Sequence, residues 1–236
     1  MNEAMARWEE LLSLALAKKG DEGVVLNDLL AAFHRGFPIE RLRVLLDHDD
    51  PDVVREGAWI LSELGARGRP FVSYLPALLR HPRRWVRIYA VDSVLTCASS
   101  DDGELITTTL KLLDDVDDGV RWAAVDFLMK APEPLLRAAA NFLGQEESSE
   151  MLRALTILLD GSPADVQELL RSRVGALGRV GLAAAGRRQD IVAIEEAKTV
   201  DDDEARTFAE RVLEDIRRKE QREASKRTSP KNPGPG

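Results

Sequence analysis

The sequence predicts an all-α fold built from repeated pairs of antiparallel helices. Apolar residues recur three or four positions apart along most of the chain, as at Leu42, Leu45 and Leu46, and the alternating β-branched pattern of strands is missing. Prolines stand at regular intervals where helices would begin. The first turn of a helix tolerates proline because its backbone N–H groups have no partner within the helix. Both patterns favour short helices joined by tight turns.

A sequence motif recurs three times at nearly equal spacing. Each copy has a Leu-Leu pair, a short polar turn, then Val-Arg and an alanine three residues later. The arginines of these copies are Arg55, Arg87 and Arg121, which lie 32 and 34 residues apart. Weaker copies place Arg153 and Arg206 at the same position. A single helix pair cannot bury its apolar face alone, so units of this kind stack on their neighbours.

The motif resembles the HEAT repeat, especially the bacterial HEAT-like type with an Asp-rich turn before Val-Arg-x-x-Ala. The resemblance implies a right-handed α-solenoid of about seven antiparallel helix pairs, with the second helix of each pair lining the concave side. We predict the pairs at 3–18/22–35, 38–47/51–65, 70–80/82–97, 103–114/118–130, 132–144/148–160, 163–173/174–187 and 189–198/202–222. Four glycines in the sixth pair, at 175, 178, 181 and 186, predict a loosely packed or kinked unit.

The chain is expected to have three segments. Residues 1–36 lack the Val-Arg signature and suit N-terminal capping helices, and residues 37–222 suit HEAT-like repeats. Residues 223–236 are predicted to form a disordered basic tail rich in proline and glycine. From Arg217 to Gly236 there are seven basic and two acidic residues, which leaves a net charge of −13 on the preceding residues. The predicted folded body is therefore acidic.

Composition argues against several classes of protein. A whole-chain charge of −8 disfavours a nucleic-acid surface or an anionic-membrane surface. Charges interrupt every apolar stretch before it reaches the ~18 residues of a membrane span, and the first ten residues lack the basic and apolar character of a signal peptide. Cys97 is the one cysteine, which excludes a disulfide framework and a zinc ribbon within this chain. We expect a cytoplasmic monomer, and the style of the repeats favours a bacterial origin.

No metal or catalytic motif is found. The three histidines lack helical ligand spacing, and the His-Glu dipeptides typical of HEAT-repeat di-iron hydroxylases do not occur. The acidic run from Asp114 resembles a calcium loop, but Val116 and Val125 stand where ligands are needed. Carboxylates that cap helix N-termini explain such runs better. A nucleophile elbow and a phosphate loop are also missing, so we expect no enzyme activity and no cofactor.

The five repeat arginines are expected to have a structural role. The resemblance implies that each one pairs with a turn aspartate of its own or the neighbouring repeat, which makes a ladder along the stack and leaves the side chain partly buried. The ladder residues are Arg55, Arg87, Arg121, Arg153 and Arg206.

The second helices also present a candidate binding stripe. Counted from each repeat arginine, the positions one before and three, six and seven after are predicted to face the core, and those one, five and eight after to face away from it. The second set comprises Glu56, Ile60, Glu63, Ile88, Asp92, Leu95, Trp122, Asp126 and Met129. Five of them are large and apolar and four are acidic. They either pack against an adjacent second helix or line an acidic, partly apolar concave groove in which Trp122 anchors a basic partner.

These observations favour a non-enzymatic protein-binding scaffold or adaptor. Its partner is expected to be a basic protein, and an immunity-type inhibitor of a basic toxin is one form of that function. A divergent HEAT-like DNA glycosylase is an alternative, for which Trp85, Trp122 and Asp126 are candidate residues and against which the acidic charge argues. A bilin-lyase-like protein is the other alternative. Neither has a motif here that identifies catalytic residues.

Overall fold

The computed structural model describes residues 3–145, 150–172, 175–199 and 203–228, with the side chains of 225–228 left aside. Every regular element within these ranges is a helix, so the predicted all-α class is confirmed. The chain divides into two compact units. The first comprises residues 1–127 and 131–147, and the second comprises residues 128–130 and 148–236.

The first unit holds most of the predicted helix pairs. Its α-helices are α1 Glu3–Leu16, α2 Glu22–His34, α3 Arg43–Leu46, α4 Pro51–Glu63, α5 Leu75–Leu78, α6 Arg84–Cys97, α7 Gly103–Leu110, α8 Asp118–Lys130 and α9 Glu133–Gln145. The last three residues of α8 belong to the second unit. Turns of 3-10 helix at Ile39–Leu42, Gly65–Tyr74 and Lys111–Asp114 adjoin α3, α5 and α7, so these first helices are short and irregular. The second helices α4, α6 and α8 are regular throughout.

The second unit is centred on one helix. Its helices are α10 Glu150–Asp160, α11 Pro163–Arg171, α12 Gly175–Arg188, α13 Ile191–Ala197 and α14 Asp203–Thr228. The helix α12 contacts α10, α11, α13 and α14. A Cβ atom at Gly181 would lie 2.8 Å from the backbone nitrogen of Leu170, and one at Gly186 would lie 2.8 Å from Sδ of Met129. The prediction of a loose or kinked unit is therefore wrong: α12 is continuous, and two of its glycines, Gly181 and Gly186, permit close packing.

The turns before α4, α6 and α8 share one hydrogen bond. In each, a side chain accepts from the backbone N–H two residues later. The pairs are His48 Nδ1 with Asp50 at 3.0 Å, His81 Nδ1 with Arg83 at 3.1 Å, and Asp115 Oδ1 with Asp117 at 2.9 Å. Asp50 and Asp117 then cap the helices that follow by accepting from backbone N–H groups of the first turn. The turn histidines and aspartates thus help to start the second helices.

The predicted core register is confirmed with one exception. The buried positions are Val54, Ala58 and Leu61 on α4, Val86, Ala90, Ser93 and Val94 on α6, and Val120, Ala124, Phe127 and Leu128 on α8. Ser62 is half-buried, and its hydroxyl donates to the carbonyl oxygen of Trp59 at 2.7 Å.

The C-terminal helix is longer than the sequence predicted. The helix α14 extends to Thr228, so residues 223–228 are helical where a disordered tail was expected. This segment consists mostly of strong helix formers, and one turn earlier Arg218 pairs with Glu214 at 2.5 Å. Residues 229–236 of the predicted tail lie outside the described residues.

Candidate binding groove

Two of the three predicted outward residues on α4 are buried. Glu56 is 4% exposed and Ile60 is 0% exposed, so the expectation that these two side chains face solvent is wrong. The helix α4 contacts α3 and also the second helices on both sides, α2 and α6. These neighbours cover the face that carries Glu56 and Ile60. Packing against an adjacent helix, the alternative interpretation of the stripe, accounts for both residues.

The other stripe residues differ in exposure. Glu63 and Asp92 are exposed, whereas Ile88, Leu95, Trp122, Asp126 and Met129 are half-buried. The sulfur of Met129 lies close to Gly186, so this side chain packs against α12. A partner-binding role for the remaining members stays a prediction.

The arginine ladder is strongest at its centre. Arg87 donates through Nη2 to Asp115 at 2.7 Å and through Nη1 to the carbonyl oxygen of His81 at 2.7 Å. Arg121 donates to the backbone oxygen of the same aspartate at 2.6 Å. Arg55 instead pairs with Glu22 of α2, which is not a turn residue. One turn aspartate therefore receives two of the repeat arginines.

The two outer arginines lack the expected burial. Arg153 pairs with Glu168 at 2.9 Å, but its side chain is 70% exposed. Arg206 pairs with Asp203 of its own repeat at 2.9 Å and is 45% exposed. Ion pairs this open to solvent contribute little to stability.

An open groove of about 470 Å³ lies on the first unit, between α2, α4 and α6. Leu26 of α2, Trp59 of α4, and Trp85 and Tyr89 of α6 supply its apolar lining. Among the nine stripe residues, Glu56 lines this groove. A second cavity of about 280 Å³ shares Glu22, Leu26, Arg55 and Glu56 with the groove, so the two spaces adjoin. We call the larger space the aromatic groove.

Two aromatic rings stand together on α6. The rings of Trp85 and Tyr89 are stacked, with centroids 6.1 Å apart and planes 26° apart. Trp85 is 46% exposed, and the guanidinium of Arg84 lies over its ring at 5.1 Å. A large exposed aromatic residue beside a groove is typical of a binding surface. The position of Arg84 shows that a cation can lie on this ring.

Carboxylates from three helices act at the aromatic groove. Burial raises the pKa of the Tyr89 hydroxyl; Arg55 opposes this shift, and Asp92, Glu63 and Glu22 raise the pKa further. These acidic residues come from α6, α4 and α2 respectively. The only cation among them, Arg55, already pairs with Glu22. The groove therefore combines apolar rings with several carboxylates, and the two arginines near it are paired, Arg55 with Glu22 and Arg84 with Asp117.

A fourth carboxylate, Glu56, lines the groove and is more deeply buried than Asp92, Glu63 and Glu22. Its burial raises the pKa to about 7, and the negative charge of Glu22 adds to that shift while Arg55 opposes it. Its Oε1 atom lies 3.9 Å from Nη2 of Arg55, a loose contact for an ion pair. At neutral pH the residue is consequently present in both ionisation states.

Sequence reasoning missed most of the aromatic groove. Trp59, Trp85 and Tyr89 lie outside the predicted stripe, and Trp85 was considered only as a glycosylase residue. The detectable signal was the presence of aromatic residues on two consecutive second helices. The register anchored on the repeat arginines left these three positions unassigned, because it considered only the positions at the centres of the core-facing and outward faces.

The described ranges contain no group of three or more histidine, cysteine or acidic side chains placed to hold a metal. None of their helices is long and apolar enough to cross a bilayer. The thiol of Cys97 is buried and donates to the carbonyl oxygen of Gly65 at 3.2 Å, and burial raises its pKa. Such a thiol is a weak nucleophile at neutral pH.

The sequence of helix pairs, repeated with one turn geometry and one core register, identifies the class. This is an all-α helical-repeat protein. No protein-family model matches the chain, and no curated protein sequence does. The HEAT-like assignment therefore stays a prediction from the motif.

Three solved structures that resemble the chain are engineered proteins. Two from the Northeast Structural Genomics Consortium have 18% and 19% identity, each with a TM-score of 0.45 and 92% of this chain covered; the alignments cover 92% and 99% of those chains. A designed armadillo repeat protein in complex with the peptide (KR)4 has 17% identity and a TM-score of 0.40, over 89% of this chain and 91% of its own. The fold assignment rests on the helices themselves, because all three TM-scores are below 0.5.

Proposed function

We propose that this protein is a non-catalytic binding protein whose aromatic groove holds a basic segment of a partner protein. The observation that carries the proposal is the stacked pair of the exposed Trp85 and the half-buried Tyr89, with carboxylates of α2, α4 and α6 acting on Tyr89. Aromatic anchors in a partly desolvated groove supply most of the energy of such interfaces. The carboxylates supply the preference for positive charge and speed the encounter.

The charge of the groove favours a basic partner over an acidic one. Glu63 and Asp92 are exposed and act electrostatically on Tyr89 of the groove, and the one arginine in its lining, Arg55, pairs with Glu22. A lysine or arginine side chain would lay its aliphatic stem on the rings and place its charge near these carboxylates. An acidic segment would meet like charge at the same place. The net charge of −8 acts in the same direction at longer range.

The HEAT-like motif supports the same surface. The resemblance to HEAT-like repeats implies that the second helix of each pair lines the concave side. The helices α2, α4 and α6 are the second helices of their pairs. An immunity-type inhibitor is the narrower form of the proposal. In that form, occupation of the groove would block the activity of a basic protein, whereas an adaptor would leave that activity intact.

A fluorescent peptide tests the proposal directly. The probe is a labelled ten-residue peptide of alternating arginine and serine, and the control peptide has glutamate in place of arginine. Fluorescence anisotropy measures the affinity of wild-type protein, Trp85→Ala and Glu104→Lys. Glu104 is an exposed residue of the first helix α7 and does not line the groove.

We expect wild type to bind the arginine peptide and not the glutamate peptide. Trp85→Ala should weaken binding about 30-fold, the loss typical of an aromatic anchor. Glu104→Lys should lower affinity less than twofold. Equal affinities for wild type and Trp85→Ala would contradict the proposal, and so would a larger loss at Glu104.

A further inference from the structure

Glu56 is a buried acid that is still reached from the aromatic groove. Its side chain is 4% exposed, yet it lines both the groove and the adjoining cavity. A carboxylate in such a place is costly unless a cation or several hydrogen-bond donors compensate its charge. The core packing of α4 does not require an acid here, because the neighbouring buried positions Gly57 and Ala58 are apolar.

The cations near Glu56 are engaged with other carboxylates. Arg55 bonds to Glu22, and its guanidinium is 3.9 Å from Glu56. Lys18, which follows α1, bonds to Asp50 at 2.6 Å and to Asp52 at 3.1 Å. Glu22 and Asp52 add negative charge around Glu56. From α6, the uncharged rings of Trp85 and Tyr89 line the same groove, and Asp92 lies near Tyr89. The guanidinium of Arg84, also on α6, lies over the Trp85 ring at 5.1 Å and pairs with Asp117.

We infer that Glu56 is the ionic anchor of a subsite that receives one lysine or arginine side chain of the bound segment. The walls of the subsite are Trp59, Trp85 and Tyr89, which contact the aliphatic stem and the face of the cation. Glu56 lies at its floor and supplies the charge that the protein itself leaves poorly compensated. This inference rests on the proposed function and specifies which residue binds the positively charged side chain of the partner.

The subsite makes binding depend on pH. A cationic side chain pairs with the ionised form of Glu56, and burial places the pKa of that carboxyl at about 7. Lowering the pH protonates Glu56 and removes the partner of the cation. Affinity should therefore fall about tenfold from pH 8 to pH 6. With a pKa of about 7, only about a tenth of the Glu56 carboxyl is ionised at pH 6, whereas most of it is ionised at pH 8. Arginine side chains of the probe keep their charge throughout this range.

Three proteins test the inference with the arginine–serine peptide at pH 6 and pH 8. Wild type should bind about tenfold more tightly at pH 8 than at pH 6. Glu56→Gln, which keeps the shape and loses the charge, should bind more weakly than wild type at pH 8 and with little pH dependence. Glu104→Gln removes one charge from an exposed site outside the groove and should behave as wild type. Thermal melts establish that each variant is folded.

Proton release gives a second readout. Calorimetry at pH 6.5 in buffers of different ionisation enthalpy should show proton release by wild type on binding and much less by Glu56→Gln. If Glu56→Gln keeps both the affinity and the pH dependence of wild type, the inference is overturned, while a loss at Trp85→Ala would leave the proposed function standing. If wild type does not bind the arginine peptide at either pH, both fail.

Discussion

Arg87 on α6 donates through Nη2 to Oδ1 of Asp115 at 2.7 Å, and the two side chains are only 10% and 9% exposed. Asp115 also accepts from the N–H of Asp117 in the turn before α8. The pair thus joins the second helix of one repeat to the turn that begins the next. Buried ion pairs of this kind are costly to break because the remaining charge stays buried.

Asp115→Asn should destabilise the protein strongly. It keeps a side-chain acceptor for the turn but leaves the Arg87 guanidinium without its counter-charge, at a cost of about 3 kcal/mol or more. Arg153→Ala, which removes an exposed arginine, should cost less than about 1 kcal/mol. Urea unfolding measures both. Similar losses in the two variants would show that burial does not distinguish the central pair from the outer one.

The glycines of α12 offer a matched comparison. A Cβ at Gly178 meets nothing within 4 Å, whereas one at Gly181 would lie 2.8 Å from the backbone of Leu170. Gly178→Ala should stabilise by roughly 0.5–1 kcal/mol through helix propensity. Gly181→Ala should destabilise because the facing backbone must move. Thermal unfolding of the two variants checks the opposite signs, and stabilisation by both would contradict the close packing of α11 against α12.

Overpacking tests the core register of α6. Ala90 is fully buried, and a leucine there should cost roughly 1–3 kcal/mol in the free energy of unfolding. Val24→Leu, an enlargement at an exposed position of α2, is the control and should be nearly neutral. An unchanged melting temperature for Ala90→Leu would mean that the register is incorrect.

Glu56 should make stability depend on pH in a defined direction. Its folded pKa of about 7 is above the ordinary value of 4.5, so the folded protein holds this proton more tightly than the unfolded chain does. The favourable contribution is present at low pH and is lost as pH rises through 7. Glu56→Gln should therefore be more stable than wild type at pH 8, by on the order of 1–3 kcal/mol, and equal to it near pH 4.5.

Denaturant unfolding of wild type and Glu56→Gln across this pH range measures the difference. Other acids titrate in both proteins, so their effects cancel in the comparison. A difference that grows as pH falls would have the wrong sign and would contradict the burial of this carboxyl. Glu104→Gln should show a constant, small difference.

Charge reversal at the rim should affect association more than dissociation. Asp92 is exposed on α6 and acts electrostatically on Tyr89 within the groove. Asp92→Lys should slow association with the arginine peptide and flatten its salt dependence, because exposed charges steer the encounter. Trp85→Ala should mainly speed dissociation. Stopped-flow measurements at two salt concentrations separate the rates, and a pure dissociation effect of Asp92→Lys would place this residue inside the contact.

The helix pairs could be predicted because the Val-Arg-x-x-Ala motif fixes both the period and the buried face. The exposed face of each second helix could not be predicted, because its exposure depends on the helices that pack beside it. Ile60 looks solvent-facing when its helix is considered alone, yet it is fully buried in the packed unit. Trp85, two positions before Arg87, belongs to neither the predicted core set nor the predicted outward set, and its side chain is 46% exposed. The extension of α14 was missed because its composition resembles that of disordered segments.

The indole N–H signals of the four tryptophans provide the most direct test of the aromatic groove. In ¹⁵N-labelled protein, each signal is assigned by a single Trp→Phe variant, and the arginine–serine peptide is then added. We predict that the signals of Trp59 and Trp85 shift with the peptide concentration and that the signal of Trp8, which packs near Phe37, stays in place. Shifts at Trp122 or Trp8, with Trp59 and Trp85 unchanged, would contradict the central claim that basic segments bind between α2, α4 and α6.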